Sequence, residues 1–178
     1  MMQNSCTVRR KQFKKIIRLV VINPQRGLEL IDKLYGKLIY CTAYSVCHNK
    51  YSAESVRNKV LIKIWQKADE LTNIDNPEGW IYVTAKNFAK DEISEGRFVK
   101  LDENICCGKD YINEFLDDDS FSFLISDLKD EEQEIMIFKF AQSYIFREIS
   151  EILNKPEAAI MSTFYRALDK IKQKLTKN

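Results

Sequence analysis

Residues Asn76–Ser94 read NPEGWIYVTAKNFAKDEIS, and this stretch decides the fold class. Asn76 is a good helix cap and Pro77 suits the first turn, where its missing N–H costs nothing. The residues that follow carry no β-type alternation. Ile81, Ala85 and Phe88 recur at helical spacing, with Trp80 beside them, and make one apolar face. Tyr82, Lys86, Asn87 and Lys90 fall on the other side and combine an aromatic ring with amines and an amide. Such a face is either ordinary wet surface or a surface that holds nucleic acid.

The same period extends both ways along the chain. Upstream, Phe13, Ile16, Ile17, Val20 and Val21 form a stripe that stops at Asn23-Pro24. Leu28, Ile31, Tyr35, Leu38, Ile39, Thr42 and Val46 form a second, longer one, broken by His48-Asn49-Lys50. Val56, Val60, Leu61, Ile64 and Trp65 line a third helix, expected from about Ser52 to Glu70. The pattern dissolves between Phe98 and Ser126, where acidic residues dominate and Tyr111, Phe115, Phe121 and Phe123 argue that parts dock on something. It returns at Asp127. Asp130 with Gln133 resembles a capping box for a helix carrying Ile135, Phe138 and Phe140. Phe146, Ile149, Ile152 and Leu153 line a short helix. Asn154-Lys155 turns the chain, and Pro156 opens a last helix with Ile160, Phe164, Leu168, Ile171 and Leu175 buried. Two helices joined by so short a turn read as a helix-turn-helix. The expected fold is all-α, with two small helical domains at 10–97 and 127–178 joined by an acidic linker at 98–126.

Charge follows the same division. Residues 1–100 hold 18 Lys/Arg against 10 Asp/Glu, residues 101–130 hold 2 against 9, and the remainder 8 against 7. A basic half followed by an acidic connector suggests a part that faces a polyanion. The five cysteines are odd in number and make no C-x-x-C pair, and His48 is the only histidine, which argues against a disulfide scaffold, a metal site or a histidine-dependent triad. No phosphate-binding glycine loop or nucleophile elbow is present. No enzyme activity, cofactor, metal or small-molecule substrate is expected. The most apolar early run, IIRLVVI, is short and contains Arg18, so neither membrane insertion nor a signal peptide is expected, and the expected location is cytoplasmic.

Two blocks of the chain resemble the sigma-70 family of RNA polymerase sigma factors, of the small extracytoplasmic-function type. The first is GLELIDKLYGKLIYCTAYSV with the later VLIKIW and NPEGWIYVTAKNFAKDEI, in which Ala53, Glu54, Trp65, Trp80, Tyr82, Ala85, Asn87, Ala89 and Asp91 fall on the family pattern. The second runs from LKDEEQEIMIFKF to REISEILNKPEAAIMSTFYRALDKIK, where Glu148, Ile149, Pro156, Glu157, Ser162, Tyr165, Arg166, Ala167 and Leu168 match. The resemblance implies a transcription initiation factor whose partners are core RNA polymerase and promoter DNA, with an anti-sigma factor as a further candidate partner.

It also implies site residues. Tyr82, Lys86, Asn87 and Lys90 are the candidates for the −10 element. Ser162, Thr163, Tyr165 and Arg166 are those for the −35 element, although Met161 and Thr163 stand where the family often has basic residues. Glu54, Asn58, Lys59 and Ile62 are those for core polymerase. Arg57 and Lys59 depart from the family, which commonly has an apolar residue and a glutamate there, and Lys59, Lys63 and Lys67 line up at i, i+4, i+8. Such a ridge would repel a basic partner surface, unless that surface has changed or the docking is apolar. Two rival readings stay open: a sigma-like DNA-binding regulator without productive polymerase binding, and a sigma-like protein that only binds an anti-sigma partner. The basic run Arg9–Lys15 reads equally as a phosphate-contacting arm and as a solubilising tail.

Overall fold

The computed structural model describes residues 5–94, 121 and 124–176. Most of the expected linker 98–126, with Cys106, Cys107, Tyr111, Phe115 and Phe123, lies outside the described residues. The helices are α1 (Ser5–Ile22), α2 (Pro24–Cys47), α3 (Lys50–Gln66), α4 (Ala68–Leu71), α5 (Pro77–Ser94), α6 (Asp130–Ala141), α7 (Phe146–Leu153) and α8 (Glu157–Thr176). There is no strand among the described residues.

Asparagine starts three of these helices by one chemistry. The side-chain oxygen of Asn23 accepts from the Arg26 N–H, that of Asn49 from Tyr51 and Ser52, and that of Asn76 from Gly79 at 3.0 Å. Each bond satisfies an N–H that the helix itself cannot. A Cβ at Gly79 would lie 2.6 Å from the Asn76 amide nitrogen, so a larger residue there would push the capping side chain aside. His48 ends α2 with φ 50°, so the lone histidine sits at a helix end. Asn154 ends α7 in the same left-handed conformation, which asparagine tolerates better than most residues and which turns the chain into α8.

Two local expectations change. The third helix does not run unbroken to Glu70. It leaves helical geometry at Lys67 and resumes as α4, which lets Ala68 and Leu71 bury themselves beside α1. The start of α6 is held by Glu132, whose carboxylate accepts the Lys129 N–H at 3.1 Å. Gln133 instead donates its amide to the carbonyls of Ser126 and Leu128. Glu132 wins the reciprocal role because it lies three residues beyond the true cap position.

Helix α2 is central, packing on α1, α3 and α5. Phe13, Ile17, Ile31, Tyr35, Leu38, Val60, Ile64 and Ile81 fill the space between them. The approach of α1 to α2 is close at Gly27, where a Cβ would come within 2.6 Å of the Val20 backbone. Helices α6, α7 and α8 enclose Ile135, Phe138, Ile149, Ile160, Phe164 and Ile171. Burying each such side chain stabilises the fold by about 1.5–3 kcal/mol before the entropy cost. Phe140 departs from the expected stripe. It is half exposed and its ring meets those of Phe164 and Phe121, so one of the four linker aromatics does dock. The second group sits on the first through α6 against α2 and α7 against α5.

Candidate nucleic-acid interface

On α3, Glu54, Asn58 and Ile62 are exposed in one line, one helical turn apart. Lys59, the fourth candidate for polymerase contact, points elsewhere. Its amine pairs with the Glu92 carboxylate of α5, which is nearly buried. Arg57 is also turned inward, with its guanidinium forked on the Asp32 carboxylate of α2 (Nε to Oδ1 2.7 Å) and within 3.4 Å of Glu54. Lys67 pairs with Glu70. The expected basic ridge is thus largely neutralised within the chain. The two charges that break the family pattern tie α3 to α2 and α5. Trp65, expected in the buried line, is 52% exposed beside Ile62 at 51%. Sequence reasoning missed it as surface because a tryptophan at helical spacing reads as core.

On α5, Ile81, Ala85 and Ala89 are buried as their spacing requires. The four −10 candidates separate. Asn87 and Lys90 are exposed. Tyr82 is only 4% exposed, its ring 5.3 Å from that of Phe138 on α6. Burial, aided by Glu134 and Asp130, raises its hydroxyl above the ordinary tyrosine range, so it stays protonated. The Lys86 amine lies 3.0 Å from Asp130, at the start of α6.

Glu78 escaped notice, because an acid in a helix's first turn reads as a solvent-facing group favoured by the helix dipole. It is fully buried. Its Oε1 accepts from the hydroxyls of Tyr35 (3.2 Å) and Tyr144 (3.3 Å), while Arg10 Nε stands 3.9 Å from Oε2. Arg9 lies over the Tyr144 ring and donates to the Gln142 side chain.

On α8, Ser162, Tyr165 and Arg166 are exposed together with Met161. Thr163 is buried, and its hydroxyl accepts from the Arg166 guanidinium at 3.0 Å. It therefore aims Arg166 and presents no surface of its own. Tyr165 is 53% exposed and its ring is buttressed edge-on by Phe164. Lys155 and Lys170 are paired with Glu131 and Glu132 of α6.

Residues 32–98, which span most of α2 through α5, match the family model of sigma-70 region 2. That match supports a place for this chain in the sigma-70 family. Its role is that of a sigma factor in transcription initiation. The fold is similar to that of CnrH in the structure described as "Structure of CnrH in complex with the cytosolic domain of CnrY". The TM-score is 0.63 at 14% identity, over 93% of this chain and 97% of that one. No curated protein matches the sequence of this sigma factor. Among its described residues, no three metal-binding side chains cluster, and no helix is long and apolar enough to cross a membrane.

Proposed function

We propose that this sigma factor is of the small extracytoplasmic-function type, works in the cytoplasm without chemistry of its own, and directs core RNA polymerase to a bipartite promoter. Helices α1–α5 form the polymerase- and −10-binding domain, and α6–α8 the −35-binding domain. The observation that carries this reading is the exposed line Glu54, Asn58, Ile62 and Trp65, which falls inside the segment that matches sigma-70 region 2. An apolar pair flanked by an acid and an amide suits docking on a protein surface, where aromatic and aliphatic anchors carry most of the energy. With Arg57 and Lys59 committed to Asp32 and Glu92, this line need not repel a basic partner.

In this reading, Tyr165 and Arg166 meet the major groove of the −35 element, with Ser162 beside them. Arg166 is the candidate for bidentate contact to guanine. Asn87, Lys90, Lys86 and Tyr82 meet the −10 region, where single strands are held by stacking and cationic contacts. A protein partner of the anti-sigma kind is favoured by one observation. CnrH, of similar fold, was solved in complex with a cytosolic domain of CnrY.

The test is transcription by core polymerase and the purified chain on a library of genomic fragments. Specific transcripts are expected. DNA retention without polymerase binding would favour the regulator reading, and neither activity would favour a pure interaction module.

A further inference from the structure

We propose that Arg9, Arg10, Glu78 and Tyr144 form a latch that holds α6–α8 over the Tyr82–Lys86 side of α5, so that the chain alone rests with that surface masked. The inference rests on the promoter reading only for the meaning of the masked face.

Four segments of the chain converge on one carboxylate. Glu78 belongs to α5, Tyr35 to α2, Arg10 to α1, and Tyr144 to the turn between α6 and α7. A buried carboxylate is costly unless it is paired and hydrogen-bonded. Here the partners come from both halves of the molecule, so parting the halves strips Glu78 of the Tyr144 hydroxyl and admits water. Arg9 closes the far side of Tyr144, its guanidinium 4.5 Å from the ring centroid and its Nη1 3.3 Å from Gln142. The N-terminal basic run thereby gains a role that neither an arm nor a tail describes. Arg9 and Arg10 turn inward while Lys11 and Lys15 stay exposed.

Around this centre the cover is completed by Tyr82 on Phe138, Lys86 with Asp130, and the Asn76 amide on the Ile152 carbonyl. Asp130 engages the Lys86 amine that a phosphate contact would need.

The latch is poised to open. Glu78 Oε2 and Arg10 Nε are both buried without a hydrogen-bond partner. Opening lets water satisfy both, which offsets part of what the lost contacts contributed. The closed form is held by these polar contacts together with the packing of α6 on α2 and of α7 on α5.

The test compares the wild-type full chain with Arg9→Gln/Tyr144→Phe, without polymerase, DNA or partner protein. Tyr144→Phe keeps the ring and removes only the hydroxyl. Small-angle scattering should show a larger radius of gyration in the variant. Acetylation of Lys86, followed by mass spectrometry, should run about tenfold faster, as expected when a minor open state becomes well populated. An unchanged radius and unchanged Lys86 reactivity in a variant with wild-type helical signal would overturn the latch. Faster acetylation without expansion would overturn it too, because it would mean local loosening only. If the double variant loses its helical signal, each single variant gives the same comparison with a smaller expected change. Closure observed together with absent promoter-selected transcription would leave the latch standing and count against the promoter reading.

Discussion

Helices α5 and α8 carry the same kinds of residue on their candidate DNA faces, and the fold treats them in opposite ways. Each offers a tyrosine, a basic side chain and a small polar group. Tyr82 on α5 lies under Phe138, whereas Tyr165 on α8 stands half in solvent. Lys86 is held by an acid of another helix, whereas Arg166 is braced by a threonine three residues earlier on its own helix. Residue type and helical phase set which side of a helix a group occupies. Whether that side meets water or another part of the chain is decided by tertiary packing. In the closed chain, the α8 face is available and much of the α5 face is not.

The largest test of this contrast is stability. Tyr82→Ala should cost about 3 kcal/mol in denaturant unfolding, as for a buried aromatic, while Tyr165→Ala should stay within about 0.5 kcal/mol. Equal costs would erase the distinction. Next comes Lys59→Glu, which sets two carboxylates together against the nearly buried Glu92 and should cost about 2 kcal/mol. Unchanged stability would mean that Lys59 is a surface residue after all, as the ridge reading has it. Ile62→Glu should weaken polymerase binding by roughly tenfold or more, about 1.4 kcal/mol, with little loss of stability, because the side chain is half exposed and would be an interface anchor. Retained affinity would move the docking surface off α3.

Smaller effects concern α8. Arg166→Ala should weaken duplex binding by about 1–2 kcal/mol and relax the preference for guanine at one position. Lys86→Ala should leave duplex binding by the closed chain unchanged. A matching loss at both sites would show that α5 is already open. The smallest effect is one of pH. Burial works to raise the Glu132 carboxyl, but hydrogen bonds from Lys170 and from the Lys129 N–H outweigh it and hold it below the ordinary glutamate value. A depressed carboxyl adds stability above its unfolded pKa, roughly 4.3, that is lost as pH falls through the folded value. Thermal melts between pH 6 and roughly pH 3 should therefore fall less steeply in Lys170→Met than in the wild type.

Most helices were legible because cap and period agree. Asn76 with Pro77, and Asn154 before Pro156, mark boundaries by chemistry that needs only near neighbours. The exposure of Ser162, Tyr165 and Arg166 followed from phase, since that side of α8 is left largely to solvent, with only the Phe146 ring against Tyr165. What failed to show depends on residues far apart in the chain. Lys59 and Arg57 read as surface charge because Glu92 and Asp32 are 33 and 25 residues away. Glu78 went unnoticed because its partners Tyr35 and Tyr144 lie on opposite sides of it in sequence, in different helical groups. Thr163 follows Ser162 by a step of about 100° around the helix, enough to turn it into the core.

The side chain of Asn76 serves two masters. Its oxygen starts α5 by accepting from Gly79, and its amide NH2 donates to the Ile152 carbonyl, 2.8 Å away near the end of α7. An aspartate there would keep the first task and forfeit the second, turning a donor toward a carbonyl into an acceptor facing an acceptor. One exchange of NH2 for O⁻ would thus uncouple the beginning of a helix from the docking of its neighbour, and would reveal how far the two halves of the molecule fold as one.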